Sequence, residues 1–143
     1  MGYQKEILSF VTTMIFSFSG LAQVSDDATI NENMMVRIAA LEIYPEYLEE
    51  YKAILKEESK ASVRLEPGVI CIYPVYQKEH PNQVRLLEIY ADTNAYQSHL
   101  KTPHFLKYKT ATLKMVKHLE LIDMESMDPE SMPSIFSKLE KKH

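Results

Sequence analysis

Three groups of residues in this sequence could carry proton chemistry. His99 and His104 flank a Thr102-Pro103 step. Imidazole titrates at about 6.5 when unperturbed, so it can accept and return protons near neutral pH. Glu88 and Tyr90 share one face of an alternating stretch with Val84 and Leu86. A carboxylate on an apolar face is costly unless it is paired or serves a pocket, and Arg37 and Arg85 are its candidate partners. Tyr73 and Tyr76 lie on opposite parities of another apolar stretch, alongside a general abundance of Tyr and Met that suits a flat organic ligand or an ordinary core. Each histidine also has a plainer reading. His99 would be favoured by the dipole at a helix C-terminus, and His104 would be a solvated first-turn residue.

Other chemistries lack their residues. Gly68 is the one glycine after position 22, so no phosphate-cradling glycine loop exists, and the nucleophile-elbow, HExxH and paired CxxC patterns are absent. No acidic run has calcium-loop spacing. No metal site and no cofactor are therefore expected. Cys71 is the single cysteine, which excludes an intrachain disulfide. The formal charge of −4 and the absence of a basic stripe argue against nucleic-acid binding.

The chain has 143 residues, 45% hydrophobic and 25% charged, which suits one ordinary globular domain. Its first part reads as a leader. Residues 7–18 form an apolar run, Lys5 precedes it, and Gly20-Leu21-Ala22 supplies small residues before Gln23. That pattern predicts a signal peptide over 1–22, too short to span a bilayer, and an exported product, periplasmic or secreted, with no membrane association after cleavage. Residues 23–33 read as a polar linker, 34–125 as the folded domain, and 126–143 as a tail or short helix.

Within the domain the periodicity alternates between that of strands and that of helices. Residues 34–44 are apolar on both parities, as in a strand buried on both faces, and Pro45 ends it. Residues 46–65 carry Tyr47, Tyr51, Ile54, Ala61 and Leu65 at helical spacing, widened by Leu48 and Leu55, with lysines and glutamates outside. Glu66-Pro67-Gly68 stops that helix, with Gly68 suited to a left-handed exit. Residues 69–77 and 83–91 predict a hairpin around the turn 78–82, and Pro74 suggests an edge strand or a bulge. Asp92 or Thr93 caps a helix starting near Asn94. Pro103 breaks it, Thr102 caps the continuation to about 117, and a last strand covers 118–124. The order β-α-β-β-α-β is the split βαβ, ferredoxin-like α+β plan. Strands apolar on both parities need a cover on the face without helices, and a second copy of the sheet is the simplest one. A homodimer is the expectation.

Ser62 with Glu66-Pro67-Gly68, then Glu88-Ile89-Tyr90, Ala95, His99 and Thr102-Pro103-His104-Phe105 together resemble the antibiotic biosynthesis monooxygenase (ABM) family over residues 34–124. The resemblance implies a dimeric α+β barrel with a pocket between sheet and helices in each subunit. It implies cofactor-independent oxidation of a quinol-like or polyphenolic molecule by O2, with His99, Glu88 and Tyr90 catalytic and with His104, Phe105, Tyr73 and Arg37 binding a small aromatic or oxygenated substrate. Ser62 and the Glu66-Pro67-Gly68 turn are structural in that comparison. Relatives that isomerise a small hydroxyketone phosphate or degrade haem set two alternatives. The haem type relies on a Trp and a first-strand Asn, and this chain has no Trp and no Asn over 35–44. The remaining alternatives are an isomerase or other proton-transfer enzyme on a small oxygenated metabolite, and a non-catalytic exported dimer that binds a small ligand.

Overall fold

In the computed structural model residues 33–138 are described, so the expected leader and most of the linker lie outside the described residues. Strand β1 (Met35–Ile43) is followed by a 3-10 turn (Pro45–Tyr47), helix α1 (Leu48–Leu65) and the hairpin β2 (Val69–Tyr76) and β3 (Gln83–Tyr90). Two short helices follow, α2 (Thr93–His99) and α3 (Pro103–Thr112), then β4 (Val116–Met124), a 3-10 turn (Pro129–Ser131) and α4 (Met132–Ser137). The sheet order is β2-β3-β1-β4 with every pairing antiparallel, so the ferredoxin-like α+β expectation holds. No helix among the described residues is long and apolar enough to cross a membrane.

The two faces of the sheet follow from parity. On β1, Ala39, Leu41 and Ile43 point toward the helices, on the same parity as Arg37, and join Tyr51 and Leu55 of α1, Leu86 and Tyr90 of β3, and Met115 in one core. Val36, Ile38 and Ala40 point the other way, in register with Ile89, Leu87 and Arg85 on β3 and with Met124, Ile122 and Glu120 on β4. Pro74 sits on β2, which among the described residues pairs only with β3, so the proline is on an edge strand. Between Val69 and Cys71 the register shifts, and everything beyond that bulge changes face relative to a simple count.

Several boundaries differ from the sequence expectation for identifiable reasons. Pro45 opens a 3-10 turn and postpones α1 to Leu48. The helix's buried stripe is Tyr51, Leu55, Glu58, Ser59 and Ser62, while Leu65 is 59% exposed. The helix α3 stops at Thr112, well short of 117. There the Thr112 hydroxyl donates back to the Tyr108 carbonyl, and Met115 N–H turns onto the Thr112 carbonyl. Met115 is thereby buried, its carbonyl accepts from Tyr44 N–H, and β4 starts two residues early at Val116.

Gly68 is required for a different reason from the one its sequence context suggests. No described glycine has a positive φ. Instead, a Cβ on Gly68 would lie 2.5 Å from the Ala95 Cβ, and its carbonyl accepts from Ala91 N–H at 2.8 Å. The exit of α1 and the first turn of α2 are thus in backbone-to-methyl contact. Gly68→Ala is expected to destabilise the fold by about 1–3 kcal/mol through overpacking, and Ala95→Gly should recover part of that loss in the double variant. Urea melts of the four proteins measure both effects.

Candidate functional site

The site forms where three helix ends converge over the sheet. Asp92 caps α2 by accepting from Ala95 N–H at 2.7 Å, and His99 is the last residue of that helix. Thr102 caps α3, and its hydroxyl donates to the His99 carbonyl at 2.9 Å. Pro103 follows at the first helical position, where a missing N–H costs nothing. The break therefore fixes His99 and His104 on opposite sides of a short, doubly bonded turn.

Glu66 ties this turn to α1. A single carboxylate oxygen, Oε1, lies 3.0 Å from His99 Nδ1 and 2.5 Å from His104 Nε2. Burial pushes the Glu66 pKa up, but the hydrogen bonds from the two imidazoles prevail and hold it below the usual carboxylate value. Ionised Glu66 accepts, so His99 donates through Nδ1–H and turns Nε2 away from it. His99 is 3% exposed and packs against the Phe105 ring at 4.7 Å and the Tyr90 ring at 5.5 Å between centroids.

On the far side of His99 is a cavity of about 570 Å³, within the range of small-molecule sites. Its polar lining includes Glu58, Glu88, Tyr90, His99 and Tyr108, with Lys109, Lys117 and His118 also on its wall, and its apolar lining includes Leu41, Ile72, Leu86, Phe105, Leu119 and Leu121. Glu58 Oε1 is 3.7 Å from His99 Nε2 and accepts from the Ser62 hydroxyl at 2.7 Å. Burial lifts the Glu58 pKa above the ordinary value, against the opposing hydrogen bond from Ser62. Burial also lifts Glu88, whose Oε2 accepts from the Tyr90 hydroxyl at 3.3 Å. The Tyr51 and Tyr108 hydroxyls are 2.8 Å apart, and burial pushes Tyr108 up to about 12. Burial thus shifts two carboxyls toward their neutral forms beside an oriented imidazole and several phenols. Such a set can accept a proton at one point and donate hydrogen bonds at others.

A family model for antibiotic biosynthesis monooxygenase matches residues 34–111. The chain belongs to this family. A solved structure from Bacteroides thetaiotaomicron bearing the same family name is 58% identical, with a TM-score of 0.69, over 70% of this chain and 95% of that one. A protein from Lactobacillus acidophilus named as a monooxygenase is 29% identical, with a TM-score of 0.65, over 66% of this chain but 45% of its own. A third, from Nitrosomonas europaea, shares the fold with a TM-score of 0.64 at 19% identity, over 68% of this chain and 94% of that one. No curated protein matches the chain. Membership makes a monooxygenase-like function on a small molecule the frame for the site.

Within that frame the expected residues separate. His99, Glu88, Tyr90 and Phe105 line the cavity. His104 does not; its Nε2 is engaged by Glu66 behind His99. Tyr73 is paired with Leu87 on the opposite face of the sheet and is 63% exposed, so it is removed from the cavity by the β2 bulge. Arg37 stands opposite Glu88 in register, yet its guanidinium binds Asp123 Oδ1 at 2.6 Å and stacks over Tyr96 at 4.6 Å. Burial opposes its charge, but the bond and charge of Asp123 together with Tyr96 outweigh that and raise its pKa. Arg85 turns to the backbone carbonyls of Leu41 and Val84. The carboxylate that orients His99 is Glu66 rather than a cavity carboxyl, and Glu66 is more than a turn residue. Glu58 went unrecognised among the outward glutamates, although it falls seven residues after Tyr51 on the buried stripe. The absence of metal-ligand spacing is likewise a property of the linear sequence. In space Glu66, His99 and His104 offer ligand atoms within 4.8 Å of one another.

Glu88 gives a pH signature. It is faced by Tyr90, Glu58, His99 and Arg37, and burial is the largest influence on it. Its folded pKa lies above 4.5, so the folded state binds more protons than the unfolded state in the window above that value. Its contribution is therefore complete below the unfolded pKa and is lost as pH rises through the folded one. Glu88→Gln is expected to raise the melting temperature by several degrees at pH 8, with the gain shrinking toward pH 5. Thermal melts across that range measure it.

Proposed function

We propose that the protein is a cofactor-independent monooxygenase acting on a quinol-like or polyphenolic molecule. The observation that carries this reading is the orientation of His99, donor to ionised Glu66 through Nδ1 and facing an aromatic cavity with the rest of its ring. A lone pair on Nε2 can take the proton of a phenolic hydroxyl, and the polarised imidazolium is stabilised by Glu66 in the way an oriented base requires. Glu88 in its protonated form, or Tyr90 once its hydroxyl turns from Glu88, supplies a hydrogen bond to the phenolate oxygen. The electron-rich anion passes one electron to O2, and the two radicals combine at a ring carbon bearing hydrogen. Loss of water from the resulting hydroperoxide leaves one oxygen atom as a carbonyl. Substrate supplies all the electrons, so no external reductant is needed. The apolar wall of Leu41, Leu86 and Leu121 suits an aromatic ring.

The assembly we propose is a homodimer through the sheet face without helices. Tyr73 and Val75 of β2 and Ile122 and Met124 of β4 are between 38% and 63% exposed there, an apolar patch of the kind that marks an interface. Light scattering should give twice the monomer mass, and Ile38→Lys, near the middle of that face, should return the monomer. We also propose export with cleavage after Ala22, for which mass spectrometry of the secreted product should find Gln23 at the N-terminus.

Oxygen consumption tests the activity. Without added metal or flavin, the protein should consume O2 above the autoxidation rate with at least one member of a quinol and catechol panel. His99→Ala should lose about 100-fold to 10,000-fold of that rate. Solvent deuterium exchange into a carbonyl substrate without O2 uptake would instead indicate an isomerase. Saturable binding without either would indicate a ligand-binding dimer.

A further inference from the structure

We propose that Glu66, His99 and His104 form a site for a divalent first-row transition ion, on the side of His99 facing away from the cavity. Three atoms of the right kinds converge there: His99 Nδ1, His104 Nε2 and Glu66 Oε1, all within 4.8 Å of one another. Imidazole nitrogen with carboxylate oxygen suits zinc, cobalt, iron and manganese, whereas calcium and magnesium prefer all-oxygen sites. An ion bonded at about 2.0–2.2 Å keeps neighbouring donor atoms roughly 3 Å or more apart. Glu66 Oε1 now accepts from both rings along their lone-pair directions, so it must move aside and His104 must withdraw slightly for an ion to enter between the three atoms. His104 is free to do so, as the second residue of α3 with a side chain 19% exposed.

Two further observations fit an ion. Metal-bound histidines commonly direct their other ring nitrogen at a carboxylate, and Glu58 Oε1, fixed by Ser62, lies 3.7 Å from His99 Nε2. Side-chain exposure also rises outward across the set, from 3% at His99 to 12% at Glu66 and 19% at His104. Solvent therefore reaches the site from the protein surface. Glu66 and His104 do not line the cavity, so substrate and ion are separated by the His99 ring.

This position has a chemical consequence that rests on the base role proposed above. With an ion on Nδ1, the proton of neutral His99 moves to Nε2, the nitrogen facing the cavity. There it can donate a hydrogen bond but no longer accept a proton. The ion would silence the base without entering the substrate site, and it would staple the ends of α1, α2 and α3 together.

Calorimetry with zinc chloride and cobalt chloride on the full chain tests the site independently of any substrate. The expected result is one ion per chain, a raised melting temperature in its presence, and visible absorption bands for cobalt. His104→Ala should weaken binding at least 100-fold, and Glu66→Gln similarly, while His80→Ala, on the exposed hairpin turn, should leave it unchanged. Far-ultraviolet circular dichroism shows whether each variant is folded. Because Glu66 is more buried, the folded His104→Ala protein decides the matter if Glu66→Gln does not fold. Absence of binding by the unaltered chain, or equal binding by His104→Ala, would overturn the proposal. Neither result would bear on the oxygen-consumption test of the base.

Discussion

Glu66 stands at the exit of α1, and one of its oxygens takes hydrogen bonds from imidazoles on two other helices. Hydrogen bonds to a charged group contribute about 1.5–3 kcal/mol each, and leaving a buried donor such as His99 Nδ1–H unmet costs about 1–3 kcal/mol. The carboxylate is therefore what fixes the angle of the catalytic candidate and the path of the chain around it. The residues flanking Glu66 serve the same junction. Ser62, one turn earlier and fully buried, holds Glu58 in place. Gly68, two residues later, leaves room for Ala95, which lies one helical turn before His99. The spacing from Ser62 through Glu66 to Gly68, and from Ala95 to His99, is the linear trace of two helix ends packed against each other.

The cavity opposes two forces that usually agree. Its walls are apolar enough to lift Glu58 and Glu88 above their ordinary pKa values, yet it keeps both carboxyls where solvent cannot stabilise their charge. An apolar residue of similar size would be more stable at either position. What the carboxyls offer, whenever they are protonated, is a hydrogen-bond donor next to a base. The base remains available because a third carboxylate, Glu66, is shifted in the opposite direction by its two imidazole partners. Groups of one chemical type with environments pushing them apart divide acid from base roles at one pH.

The fold was largely legible in the sequence because its signals are local. The hairpin, the Asp92 and Thr102 caps, the Pro103 break and the edge position of Pro74 each depend on a few neighbouring residues. The site was half legible. Alternation placed Glu88 and Tyr90 on one face correctly, but could not choose among partners. Arg37 is on a central strand, with Glu88 in register on one side and Asp123 on the other. It binds the exposed Asp123, whose charge is stabilised by solvent, and leaves the buried Glu88 to Tyr90. Tyr73 was misplaced because the bulge between Val69 and Cys71 reverses the parity that a straight count assumes. Glu66 and His99 are 33 residues apart, a separation over which no periodicity speaks.

The position of the cavity follows from a mismatch in width between the two layers. The helices pack mainly on β2 and β3, whereas the fourth strand, β4, carries Leu119 and Leu121 about half exposed on the same face. A single long helix after β3 would have extended across this strand. The Thr102-Pro103 break instead divides it, and α3 runs back along α1, its Tyr108 hydroxyl meeting that of Tyr51. His99 consequently terminates a helix at the edge of an uncovered space, with its ring directed into that space and its backbone carbonyl held by Thr102. Without the break, the Thr102 hydroxyl would not hold the His99 carbonyl at this edge. The proline that interrupts the helix is thus also what gives the imidazole a cavity to face.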